Sequence, residues 1–246
     1  MQPPMDSRTK AARDNFLKLG VTISPLPAAE DKWAWRVEKD AGDMSKLEHL
    51  EAFFEGCQFM FDSRSHDEQF ISRRLPTILL GVLVMIKKAC LHIEDQGLRS
   101  ATRRPHWFGQ QMLKVSVLFE GKREIVETTV DYTLVYGRRE KLAFNLVVLR
   151  ENSLEMQDKT WEALTAMGAA HRARAVLGDN VGIYGIHTNS YEWHFLHLGA
   201  GGEASLHCYV LTYSALRLSW DTDKPQIIAL LEKISKQAVD LAQKAG

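Results

Sequence analysis

Asp131 sits inside a β-branched run, IVETTVDYTLVY, and a carboxylate carried on a strand is a group that can hold a divalent cation or position a water molecule. Glu127 shares its parity and therefore, on a regular strand, its face, at a separation of about 13 Å that only a bulge would shorten enough for one ion. Arg150 ends a second β-rich run, KLAFNLVVLR. Two basic groups accompany these residues: Arg99, Arg103 and Arg104 in GLRSATRRPH, and His171, Arg172 and Arg174 in AMGAAHRAR. Clustered arginines of this kind contact phosphate, and both groups could flank one cleft. His187, His194 and His197 raise a metal hypothesis, but residues three apart on a strand point to opposite faces, so His194 and His197 are not expected to ligate together.

These residues need a scaffold, and the periodicity supplies one. LKVSVLF, IVETTVDYTLVY and KLAFNLVVL read as three strands joined by EGKRE and GRRE, an antiparallel meander. Asn152 with Glu155 forms a capping box that predicts a crossover helix from Ser153 to Arg174. Val181 to Ile186 is the next strand, Asn189 and Ser190 make a tight turn into Trp193, Phe195 and Leu198, and SLHCYVLTY follows. At least five strands are expected.

Upstream, Ala11, Ala12, Phe16 and Leu19 have helical spacing before Gly20, and Trp33 and Trp35 suit an edge strand or an extended, packed arm. Asp43 can cap a helix through Phe61 whose face carries Phe53 and Phe54. Ser65 with Glu68 is a capping box for a long helix over the sheet, which Pro76 should kink or break. A last helix starts near Asp223 and Pro225 and buries Ile227, Leu230, Leu231, Ile234, Ala238 and Leu241. The expected class is α/β (α+β), a central mixed sheet with an antiparallel meander and flanking helices. Residues 1–62 form an N-terminal helical extension packed on an α/β core, residues 63–246, that ends in the C-terminal helix.

Lys+Arg and Asp+Glu balance at 31 each in 246 residues, so global charge argues for neither a polyanion nor a membrane partner, and any such surface must be local. Cys57, Cys90 and Cys208 lack CxxC spacing and imply neither a disulfide framework nor a zinc site. The longest apolar run, LPTILLGVLVMI, falls short of the roughly 20 residues of a membrane span. An intracellular protein of cytoplasm or nucleus is expected, with no membrane partner. Serine elbow, P-loop and dinucleotide glycine patterns are missing, since GAGGE lies between strands.

The order helix, meander, crossover helix, strand resembles the core of the PD-(D/E)XK, or restriction-endonuclease-like, nuclease superfamily over Asp67 to Tyr213. VDYTLVYG is similar to its second motif, AMGAAHRAR to the helix carrying a Q-x-x-x-Y-type motif, and GIYGIHTNSYEWHF to the strand-turn-strand that follows. In active members an aspartate and the glutamate of E-x-K hold a divalent metal while the lysine orients or activates water. This chain departs from that pattern: Asn145 with Val147, or Val148 with Arg150, occupies the third motif, Glu151 fits only in a shifted register, and Met167 and His171 stand in the helix motif.

The resemblance therefore implies a nuclease fold whose metal site has decayed, with no cofactor, acting through DNA, RNA or a protein partner. Its residual catalytic positions are Asp131, Glu127 and Arg150, and its nucleic-acid contacts are Arg99, Arg103, Arg104, His171, Arg172 and Arg174. The competing expectation is an active Mg²⁺-dependent nuclease with Asp131 as metal ligand, joined by Glu127 or by an acidic residue of the long helix such as Glu68. A third is a purely protein-protein interaction module.

Overall fold

The computed structural model describes residues 7–25, 35–37, 48, 52–56, 68–94, 105–138, 141–175, 182–200 and 209–244. In chain order they form α1 (Ser7–Lys18), β1 (Val21–Pro25), α2 (Glu68–Glu94), β2 (His106–Phe119), β3 (Lys122–Arg138), β4 (Lys141–Arg150), α3 (Thr160–Ala175), β5 (Ile183–Thr188), β6 (Glu192–Ala200), β7 (Tyr209–Ser219) and α4 (Trp220–Lys244). The strands make one mixed sheet of seven in the order β1-β7-β6-β5-β4-β3-β2. The meander β2–β3–β4 is antiparallel and the strand after the crossover helix joins the same sheet, as the sequence predicts; β5 pairs parallel with β4. The N-terminal region contributes more than helix, because β1 pairs parallel with β7 at the sheet edge.

Strand alternation divides the interior into two layers. Leu146, Val148, Tyr184, Ile186 and Phe195 face α2 and α4, where they meet Leu79, Val82, Leu83, Ile227 and Leu231. Val147, Leu149, Ile183, Leu196 and Leu198 face α1 and α3, where they meet Phe16, Leu19, Leu164 and Met167. Small residues bring α1 close to α3: a Cβ at Gly168 would stand 2.9 Å from Leu19 Cδ1. Trp35 packs edge-on against Tyr184 and Phe195 and so anchors its arm on the first of these layers. Phe54 is buried there as well, whereas Phe53, expected on the same buried face, is about half exposed.

Two local expectations change. Pro76 lies within an unbroken α2. Proline removes the N–H that would bond the carbonyl four residues back, that of Ser72, and Arg150 Nη1 donates to this carbonyl at 3.3 Å. The helix α3 begins at Thr160, not Ser153. Ser153 Oγ instead accepts from the Glu155 amide at 3.3 Å in a local turn, and Asp158 Oδ1 accepts from the Thr160 amide at 3.1 Å, so Asp158 is the cap. Most of the helix expected over residues 43–61, the Ser65 cap and the 97–104 basic loop lie outside the described residues. Among the described residues no helix is long and apolar enough to cross a membrane.

Candidate functional site at the carboxyl end of β4

β3 and β4 part just beyond the pair Tyr132↔Val148, and Asp131 stands at that fork. Its Oδ2 accepts the Arg150 main-chain amide at 2.7 Å, so the carboxylate takes the place of the next rung of the ladder. On the other flank the β2–β3 pairing skips Asp131 and Gln110, and Gln110 adopts a left-handed φ of 40°. Val126 and Val130, before Asp131, pack with α1 and α3, whereas Tyr132 and Leu134, after it, pack with α2 and α4. The ribbon therefore turns over at Asp131, and parity does not carry across it. Glu127 shares Asp131's parity but not its surroundings: it is exposed and pairs with Lys114 directly across the ladder at 2.7 Å. The expected acidic pair is not formed.

Arg150 points its guanidinium toward α2, where Nη1 holds the Ser72 carbonyl and Nε is buried without a hydrogen-bond partner among the described residues. Glu68 opens α2 one turn before Ser72. Asn145 is the extra residue of a β-bulge between Leu134/Val135 and β4. Fully buried, it donates from Nδ2 to the Ile234 carbonyl at 2.9 Å, which gives it a packing role.

The next residue after Arg150, Glu151, leaves β4 on the opposite face. It is buried, and its Oε2 meets Lys159 Nζ at 2.8 Å, with both side chains nearly enclosed. Burial raises the Glu151 pKa, but the hydrogen bond and charge of Lys159 and the Asn152 and Ser153 amides more than reverse this, leaving it below its ordinary value. His187 Nε2 lies 3.9 Å from Glu151 Oε2. Burial, reinforced by Lys159 and His194, pushes His187 down to about 4, so its imidazole is neutral near pH 7 and the contact is not an ion pair. His194 stands opposite His187 on β6, and burial together with Arg217 lowers it as well. His197 is on the other face, against Tyr184 and Trp35, as the strand period requires.

Of the arginines expected to contact phosphate, Arg172 and Arg174 are engaged inside the fold. Arg174 is fully buried, donates from Nη1 to the Phe144 and Gly182 carbonyls at 3.0 and 3.1 Å, and stacks on Tyr136. It ties α3 to the strands and is no part of a basic surface. Arg172 Nη1 donates to the Leu19 carbonyl and secures the end of α1. His171 and Met167 are buried, so both residues of the helix motif serve packing. Arg99, Arg103 and Arg104 lie outside the described residues. The Glu151–Lys159–His187 cluster has only a weak signature in the sequence, EN at a strand end followed by a buried strand closing in His, and residue spacing alone does not bring its members together.

Of the two carboxylates weighed as a metal-binding pair, Asp131 Oδ2 accepts an amide and Glu127 pairs with Lys114, so they do not converge on one ion. Among the described residues no group of three or more His, Cys, Asp or Glu side chains is placed to hold one. No family model matches the sequence, and no curated protein matches it.

Proposed function

We propose that this chain is a restriction-endonuclease-like protein in which Val148 stands where the third motif has its metal-binding glutamate and Arg150 where it has its lysine, and that it works by binding nucleic acid without cutting it. The observation that carries the reading is the junction of Asp131 with Arg150: the strand aspartate meets the end of β4, and the side chain there is a guanidinium tied to α2. Val148 supplies no carboxylate, so Asp131 alone supplies too few oxygens for the ion that a phosphodiester-cleaving site needs. The mixed sheet, the meander and the parallel return of β5 after a crossover helix support the same reading.

Because Arg172 and Arg174 are committed to carbonyls, the phosphate contacts fall to Arg99, Arg103 and Arg104, which the sequence places directly before β2. Fluorescence anisotropy with single- and double-stranded DNA and RNA at several salt concentrations tests this. Replacing those three arginines with alanine should weaken binding and reduce the slope of log affinity against log salt by roughly 0.7 to 0.9 for each phosphate no longer neutralised. Absence of salt-dependent binding by the wild-type chain would remove the nucleic-acid role and leave a protein-interaction module. That second reading is favoured by the exposed apolar side chains on the β2–β3 hairpin.

A further inference from the structure

His187 on β5 and His194 on β6 stand directly opposite each other in the antiparallel ladder. Side chains opposed in this way leave the same face of the sheet. That face carries Ile183, Leu196 and Leu198, the layer packed by α1 and α3. The two imidazole rings meet edge to face, with centres 5.8 Å apart and planes at 86°. A ring nitrogen about 2 Å from a metal ion puts its ring centre about 3 Å from that ion, so two rings sharing one ion have centres about 5–6 Å apart. The observed separation falls in that interval.

The surroundings of the pair favour a cation. His187 is buried, and its Nε2 has no hydrogen-bond partner among the described residues, although a buried polar atom ordinarily has one. His194 is half-buried, so the pair is reached from its side. The charged groups that act on the two rings are the carboxylates of Glu151, Asp158 and Glu192 and the cations Lys159 and Arg217, three negative charges against two positive. We infer that His187 and His194 form a two-imidazole site for a divalent transition-metal ion, Zn²⁺ or Cu²⁺, which clamps β5 to β6 on the α3 side of the sheet. Imidazole suits these ions, whereas Mg²⁺ prefers oxygen ligands and Mn²⁺ stands lowest in the order of affinity. Water completes the coordination, because Lys159 holds the Glu151 carboxylate and the Thr160 amide holds that of Asp158. The site uses neither Asp131 nor Arg150 and does not rest on the nucleic-acid reading.

Calorimetric titration of Zn²⁺ into the full chain should show a saturable site that His194→Gln weakens by more than about tenfold, since losing even an outer partner of a metal ligand costs about 10- to 100-fold. His194 is only half-buried, so this variant keeps the fold, which its circular dichroism spectrum checks. His106→Gln, on β2 at the far edge of the sheet, and Asp131→Ala should both leave the affinity unchanged. The electron paramagnetic resonance spectrum of bound Cu²⁺ reads the ligands themselves: it should show coupling to two imidazole nitrogens in the wild type and to one in His194→Gln. No saturable binding of Zn²⁺ or Cu²⁺, binding undiminished in His194→Gln, an equal loss in His106→Gln, or a wild-type spectrum with a single coupled nitrogen would overturn the assignment. Zn²⁺ binding by a chain that binds no nucleic acid would support this site and refute only the function proposed above.

Discussion

Arg150 and Glu151 are consecutive in the chain, yet they serve opposite layers of the molecule. Arg150 reaches across to α2 and fills the bond that Pro76 leaves open, while its amide is held by Asp131. Glu151 turns to the other face, where Lys159 neutralises it and His187 lies alongside without a charge. In each place a carboxylate that could have joined a metal site is satisfied by the protein itself, Asp131 by an amide and Glu151 by an ammonium. The difference is in how deeply each is committed: the Glu151 pair is enclosed, whereas Asp131 is half buried at the sheet fork. The enclosed pair should therefore dominate stability, and the fork should be the place where chemistry can be changed at small cost.

Removing one member of the enclosed pair is expected to have the largest effect. Lys159→Met leaves a buried carboxylate unpaired and should cost roughly 3–5 kcal/mol in a urea melt, and adding Glu151→Gln should recover most of that. A Lys159→Met protein as stable as wild type would place the pair in solvent.

Acid should act next, through His187. Its folded pKa is depressed to about 4 from an ordinary 6.5, so the unfolded chain takes up the proton first as pH falls. Its contribution is full above about 6.5 and is lost progressively toward about 4, a change on the order of 2–3 kcal/mol. His187→Gln should flatten the stability profile in that window, and an unchanged slope would show that other groups set it. At the fork, Arg150→Met should cost only about 1–2 kcal/mol, the worth of a charged hydrogen bond to the Ser72 carbonyl. Asp131→Asn should cost about 1 kcal/mol, because an amide oxygen can still accept from Arg150 N–H. Thermal melts of these two variants should therefore fall above that of Lys159→Met.

The sequence makes the meander, the crossover helix and the return of the next strand to the same sheet readable because each is carried by local apolar periodicity. What it hides depends on distant partners. β1 is short and ends in proline, and its pairing strand lies near the other end of the chain. The cap of α3 falls at Asp158, because the Ser153–Glu155 bond closes a separate local turn ahead of the helix and only the Asp158–Thr160 bond meets its first turn. Pro76 lies within α2, and Arg150, distant in the chain, donates to the Ser72 carbonyl that it leaves open. Parity places Glu127 with Asp131, but the left-handed turn at Gln110 on the neighbouring strand overturns the ribbon between them. Arg174 reads as a surface cation until the Phe144 and Gly182 carbonyls are seen to enclose it.

On the proposed reading, an apolar Val148 in place of the metal-binding glutamate leaves a protein that binds nucleic acid and does not cut it. The most direct test is a calorimetric titration of Mn²⁺ and Mg²⁺ into the wild-type chain and into Asp131→Ala, with cleavage of DNA and RNA followed in parallel. The expected result is no saturable binding and no cleavage by either chain. Micromolar metal binding by the wild type, abolished by Asp131→Ala and accompanied by metal-dependent cleavage, would contradict it.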